Sequence, residues 1–442
     1  MSEQRPSRRF RRLQLMTTGL MVLMVAMNYI DRGAIAIANI NIRHDFGLSA
    51  TAVGGLISAW SFAYALGQLP AGFLVDRLGP RRMIGLAVLI WSLAQAAGGF
   101  ALSFAQLAAS RAGLGVAEAP GLLGCARVTK NWYHANERGL PSGAYIGATV
   151  LAPAFAPVLL TALMIYFNWR VMFITIGVLG IVMALAWYGF YRDTEDVALG
   201  AEDRAYAQAN NPEPATTISF RQWLRLFKFQ TTWGLTFGTF GLGYVFWIFF
   251  GWFPFYLESR YHVSIAHTGF LSGIPWLGGL AGAAFGGYLS DMLAKRHANP
   301  FIARKIPLIG GLFCMAVFTA LIAVVDTVGL TLVCAFFVIF GGICCTTALW
   351  ALVTVVAPQK YTASLASIPN CGAYLGATCS PIVTGFLVDR TGSFVPALLT
   401  GTAIGLISCT FYLLMIRAPV RVEDLEEGGT LLIAQPTPTG GI

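Results

Sequence analysis

The chain has 442 residues, of which 56% are hydrophobic and only 11% charged, with a formal net charge of +9 and a mean hydropathy of +0.67. A water-soluble domain carries about 25% charged residues, so a soluble globule is excluded and an all-α polytopic membrane protein is expected. The basic residues sit in short segments between apolar runs, a pattern that points to the lipid bilayer as partner and away from nucleic acid.

The first apolar run, about 13–38, follows a basic N-terminal segment, 1–12. It continues past Asp31 without a small-x-small cleavage site, so it is expected to stay in the mature protein as a first span. Runs of about 20 residues, the length that crosses hydrocarbon, follow at 50–75, 83–101, 104–127, 139–166 and 170–191. Residues 192–230 form a polar connector that ends in "FRQWLRLFKF", whose aromatic, leucine and basic residues suit a helix lying on the membrane surface. Six more runs cover 231–257, 267–290, 306–325, 329–354, 361–388 and 393–416. The expectation is therefore 12 transmembrane helices in two six-helix halves, 13–191 and 231–417, with a tail at 418–442.

Charge gives the orientation. Of 29 lysines and arginines, only Arg43, Arg170, Arg260 and Arg390 fall after odd-numbered spans, and only Arg32 and Arg111 fall inside spans. Both termini, the connector and the tail are then expected to be cytoplasmic. The eight cysteines lie in apolar runs with no CxxC spacing and no nearby histidine, so they read as reduced structural filler, with no metal and no cofactor implied.

A repeat supports the two halves. "GFLVDRLGPRR" (72–82) follows the second span and "GGYLSDMLAKR" (286–296) the eighth, each with a glycine four residues before an aspartate, Gly72/Asp76 and Gly287/Asp291. Corresponding copies in two halves are the parallel repeat expected of two six-helix halves. Glycine permits close helix contact there, and Asp76, Arg77, Arg81 and Asp291 can pair across a cytoplasmic gating seam. A tight structural turn would explain one copy but not two. "GFLVDRTG" (385–392) matches in letters but falls on the external side, and no gating role is expected of it.

Four ionisable side chains remain at membrane depth: Asp31 and Arg32 in "NYIDR", and Arg111 and Glu118 in "SRAGLGVAEAPG". Each charge at a helix centre costs about 2.5–3.5 kcal/mol on insertion scales, so these groups must face a cavity or one another. Arg111 and Glu118 are nearly two turns apart on one helix face, whereas Asp31 and Arg32 point about 100° apart. Arg32 can then meet the fourth span while Asp31 reaches elsewhere. One reading is a neutral cross-brace between the first and fourth spans; the other is an anion site beside protonatable acids.

On "NYIDR", "GFLVDRLGPRR", "RAGLGVAEAP", "GWFPFYL" and the pair Trp350 and Asn370, the chain resembles the major facilitator superfamily. The resemblance is to its anion:cation symporter branch, over about residues 15–418. That branch includes bacterial permeases for galactonate, glucarate, hexuronates and phthalate, and the animal sialin and vesicular glutamate carriers. The resemblance implies the major facilitator fold and, by analogy with the sugar-acid members, proton-carrying roles for Asp31 and Glu118. Arg111 would set the protonation of its neighbours, and Arg32 would contact the substrate carboxylate. Tyr29 and Tyr64 would line the site from the N-terminal half, and Thr347, Trp350 and Asn370 from the other.

The implied function is proton-coupled import of an organic carboxylate, a sugar acid first, by a monomer in the bacterial cytoplasmic membrane. An aromatic or small dicarboxylate of phthalate or tartrate type is the alternative, because Leu349 and Thr149 stand where the sugar-acid permeases tend to carry more polar residues. The aromatic run "YVFWIFFGWFPFYL" points the same way. A proton:drug antiporter ranks lower, since "GAYIGATVLAPAFAP" lacks the Gly-Pro-Gly-Gly run of those proteins. A non-transporting nutrient sensor also ranks lower, since the tail after Arg421 is short. No nucleophile and base constellation suggests an enzyme.

Overall fold

The computed structural model describes residues 6–134, 137–200, 203, 206, 220–297, 299–357 and 361–420. Among these, every regular element is helical. In chain order they are α1 (Arg8–Ile37), α2 (Asn39–Phe46), α3 (Ala50–Leu78), α4 (Pro80–Gly99), α5 (Phe104–Glu118), α6 (Pro120–Trp132), α7 (Gly139–Tyr166) and α8 (Trp169–Phe190). They continue as α9 (Phe220–Arg225), α10 (Gln230–Tyr261), α11 (Ile265–Arg296), α12 (Pro300–Val324), α13 (Val328–Val356), α14 (Thr362–Thr391) and α15 (Val395–Met415). The tail from 421 and the middle of the connector, 201–219 apart from residues 203 and 206, lie outside the described residues.

Small polar side chains start the helices by satisfying free backbone N–H groups. Ser7 Oγ accepts from Phe10 at 3.2 Å, Ser49 Oγ from Ala52 at 3.1 Å and Asn168 Oδ1 from Val171 at 2.9 Å. Ten of the helices are long and apolar enough to cross a membrane. Two expected spans depart from that standard. The run at 104–127 is broken into α5 and α6 at Ala119, because Pro120 has no N–H to continue the ladder; the break falls directly after Glu118. In α11, frequent glycines and the charged stretch from Asp291 to Arg296 dilute the apolar character. The expected surface helix is short, with α9 giving way to a 3₁₀ turn over Leu226–Lys228.

Outward-facing side chains are apolar along the bundle, Leu23, Leu93, Phe155, Leu185, Phe313 and Leu413 among them. Exposed hydrocarbon on this scale is costly in water and neutral in lipid, which makes this a membrane protein. The segment before α1 is tied down outside the bundle. Ser7 donates to Asp203 from both N and Oγ, and Arg11 donates to both carboxylate oxygens of Glu137 at 2.7 Å. Glu137 also accepts from the Tyr206 hydroxyl. The Arg11 guanidinium holds the Glu137 carboxyl below the usual carboxylate range.

The bundle is tightly latched at one end, and several glycines toward the other have open space beside them. Helix α3 packs on α14, and α7 on α11. Asp389, near the end of α14, accepts from the N–H groups of Ala50 (2.8 Å) and Thr51 (2.7 Å) and from Thr51 Oγ1 (2.6 Å), capping the start of α3. Further along, Ser58 donates to the Thr378 carbonyl at 2.6 Å. Gly54 and Gly385 bring the two backbones so close that a Cβ at either would collide with a carbonyl of the partner, Pro381 or Ala50; Gly273 meets Ala154 in the same way. At the other end nothing lies within 4 Å of where a Cβ would stand at Gly72, Gly139, Gly143, Gly147 or Gly287.

Candidate functional site

Arg32 is the hub. It sits in the last two turns of α1 and is 4% exposed. Its Nε donates to Glu118 Oε2 at 2.9 Å, across from the last residue of α5. The same carboxylate oxygen accepts from Trp60 Nε1 of α3 at 3.0 Å. Three rings surround the guanidinium, with their centroids 4.7 Å (Tyr29), 4.4 Å (Trp60) and 4.9 Å (Tyr64) from Arg32 Cζ. Such faces attract a cation without neutralising it. Neither Nη atom of Arg32 donates a hydrogen bond to another described residue.

The other two charges lie behind this pair. Arg111 Nη1 donates to Gln95 Oε1 at 3.1 Å and, more weakly, to the Asp31 main-chain carbonyl at 3.4 Å. Asp31 is 1% exposed, and its two carboxyl oxygens accept no hydrogen bond from the described residues. Expected proximity therefore holds for Arg32 and Glu118. Asp31 and Arg111 are joined through a backbone carbonyl, and no ion pair links their side chains. The four groups are not sealed among themselves, because Arg32 reaches a cavity.

That cavity, about 210 Å³, lies between the two sets of helices. Tyr29 and Arg32 of α1 and Thr149 of α7 form one side. Thr239, Phe246, Trp247 and Phe250 of α10, Thr346, Leu349 and Trp350 of α13, and Pro369, Asn370 and Tyr374 of α14 form the other. Tyr29, Trp350 and Asn370 thus line the cavity as expected. Tyr64 stands one layer back, its ring 4.5 Å from that of Tyr374 and 5.1 Å from that of Trp60. On α13 the cavity wall carries Thr346 in place of Thr347. The two are about 100° apart on the helix, and Thr347 Oγ1 donates to the Ile343 carbonyl at 2.9 Å.

Of the expected seam, Arg77 is exposed and lies 6.0 Å from the centroid of the Phe73 ring. Arg81 donates to the Tyr188 carbonyl at 3.2 Å and pairs with Asp196 at 3.8 Å. Asp291 is exposed and takes part in no ion pair among the described residues. Gly72 has open space where close contact was expected. The Asp76 side chain lies outside what the structure describes.

Several residues at the site were not singled out by sequence reasoning. Trp60 precedes Tyr64 by four residues, so the two share a helix face, and that spacing was the available signal. Trp247 stacks on Trp60 from α10, with centroids 5.1 Å apart. Gln95 is a lone amide inside an apolar run, the mark of a polar group with a buried partner.

A helical bundle with lipid-facing apolar surface and a cavity anchored by a buried arginine between two sets of helices is the form of a membrane transporter. The model of the Major Facilitator Superfamily matches residues 21–377. The chain belongs to that superfamily and to its anion:cation symporter branch, as its first- and fourth-span motifs implied. It is 39% identical over 424 residues to the probable L-galactonate transporter of Escherichia coli (strain K12), covering 94% of this chain and 92% of that protein. It is 29% identical over 419 residues to the probable galactarate/D-glucarate transporter of Bacillus subtilis (strain 168), covering 91% and 92%. Its fold matches the crystal structure of a bacterial homologue of the human lysosomal transporter Spinster in an inward-facing and unoccupied conformation. That match has a TM-score of 0.76 at 17% identity, over 96% of this chain and 100% of that one. The family and these relatives are transporters, not enzymes.

Proposed function

We propose that the protein is a proton-coupled symporter that imports a sugar-acid anion by alternating access. Its two halves, 13–191 and 231–417, supply six spans each, counting α5 with α6 as one and α11 as another. Both termini face the cytoplasm of a bacterial cell, and the monomer works in the cytoplasmic membrane. In this orientation the end latched by Asp389 is external and the opposite end is cytoplasmic, where Gly72, Asp76, Arg77, Arg81 and Asp291 form the seam of the opposite state.

One observation carries the reading. Arg32 lines the cavity with neither Nη atom donating to a described residue, while its Nε holds a buried carboxylate, Glu118, at 2.9 Å. A substrate carboxylate on the Nη pair would make the bidentate contact at which arginine excels. It would also compete with Glu118 for the same positive charge, so a proton arriving on Glu118 would strengthen the anion's hold and the anion's departure would weaken the proton's. Asp31, buried without hydrogen-bond donors, is the second proton carrier, and Arg111 links it to Glu118 through electrostatics. Coupling also answers the membrane potential. One net charge moved across 100 mV is worth about 2.3 kcal/mol, a penalty that one accompanying proton removes for a monoanion.

The names of the relatives, the L-galactonate and galactarate/D-glucarate transporters, support the sugar-acid class. The aromatic side of the cavity, with Phe246, Trp247, Phe250 and Trp350, supports a second reading, an aromatic carboxylate. Proteoliposomes given an inward proton gradient test both. Accumulation of L-galactonate that collapses with a protonophore is expected. Accumulation of phthalate in its place would select the second reading, and gradient-insensitive accumulation would remove proton coupling.

A further inference from the structure

The cavity is chemically lopsided in a way that names the substrate more closely than "sugar acid". Arg32 is the sole cation among the residues that line it. The neutral polar groups opposite include two threonine hydroxyls whose protons are already committed. Thr239 Oγ1 donates to the Pro369 carbonyl at 2.8 Å, and Thr346 Oγ1 to the Gly342 carbonyl at 2.9 Å. On the Arg32 side, Thr149 Oγ1 donates to the Ile146 carbonyl at 2.7 Å. A hydroxyl that has given its proton to a helix carbonyl keeps lone pairs only, so it can accept but not donate. Asn370, with no hydrogen bond among the described residues, is the single amide on this side. The indole N–H groups of Trp247 and Trp350 and the Tyr374 hydroxyl are the other polar groups there, and all of them are neutral.

A ligand with one carboxylate and a chain of hydroxyls fits both ends. Its carboxylate takes the Nη pair of Arg32, and its hydroxyls donate to the threonine oxygens while its carbon faces lie on Trp247 and Trp350. A second carboxylate at the far end is acceptor-only. It would meet threonine oxygens that only accept and a few neutral donors, with no cation to receive it, and burying such a charge without a counter-ion is costly. Sites built from committed hydrogen-bond partners reject an ill-matched polar group strongly.

We infer that the transporter selects hydroxylated monocarboxylates, of aldonate type, and excludes the corresponding dicarboxylates, of aldarate type. This rests on the sugar-acid reading above and narrows it. The test is competition against labelled L-galactonate uptake at neutral pH in proteoliposomes, with unlabelled L-galactonate and galactarate as competitors. Galactarate is expected to compete about tenfold or more weakly. Equal or stronger competition by galactarate would overturn the inference while leaving the sugar-acid reading intact. Failure of L-galactonate to bind or compete at all, with galactarate also silent, would overturn the sugar-acid reading and this inference with it. A second variant sharpens the result: Asn370→Arg adds a cation to the neutral side and is expected to raise galactarate competition relative to L-galactonate. An unchanged ratio in a variant that still takes up L-galactonate would count against the placement of the tail.

Discussion

The two sides of the cavity are built on opposite principles. The side contributed by α1, with α3 and α5 behind it, buries charge: Arg32, Glu118, Asp31 and Arg111, held by Trp60, Gln95 and a ring of aromatic faces. The side contributed by α10, α13 and α14 carries no charge and presents threonine oxygens, one amide and broad rings. Desolvated charge is concentrated where several partners share its cost. A neutral side costs little to expose when the halves part, so it can move against the substrate without stranding an ion. On the proposed function, proton exchange belongs to the charged side and substrate shape to the neutral one.

Substitutions on the two sides should therefore fail in different ways. Arg32→Ala is expected to have the largest effect, a loss of about 100-fold in uptake kcat/KM, because two charge-assisted hydrogen bonds to the substrate disappear. Wild-type uptake by a correctly inserted variant would break the comparison at its root. Glu118→Gln and Asp31→Asn should spare exchange of preloaded substrate and lose gradient-driven accumulation; if both variants still accumulate, the charged side is not the proton route. Trp60→Phe keeps the ring against Arg32 but removes the N–H donated to Glu118, and should shift the pH dependence of uptake with a rate loss of about tenfold. On the neutral side, Asn370→Ala should raise KM about 3–10-fold with proton coupling unchanged. A change in coupling there would blur the division between the two sides.

The sequence made the charged side legible because hydrocarbon makes intramembrane charge conspicuous. Asp31, Arg32, Arg111 and Glu118 stood out as soon as the spans were drawn, and the 100° separation of Asp31 and Arg32 anticipated that only one of them would meet Glu118. The neutral side was legible in Trp350 and Asn370, which resemblance supplied, and less so elsewhere. Thr346 and Thr347 are adjacent, and only the helix rotation decides which one faces the cavity. Trp60 and Trp247 were hidden among the aromatic residues that any membrane helix carries. The segment 385–392 shows a further limit. Its letters nearly repeat 72–79, yet Asp389 caps the start of α3 at the latched end, a role set by which helix end it faces and invisible in the letters alone. The break after Glu118 was likewise absent from the apolar run, although Pro120 marked the place.

The central claim is that an anion on Arg32 and a proton on Glu118 are thermodynamically linked. It is tested most directly by recording proton uptake from weakly buffered solution, with a pH-sensitive dye, as L-galactonate binds to purified protein. The wild type is expected to take up protons on binding, and Glu118→Gln to bind with that signal lost or strongly reduced. An undiminished proton signal in Glu118→Gln, or binding by the wild type with no proton movement across the neutral range, would contradict it.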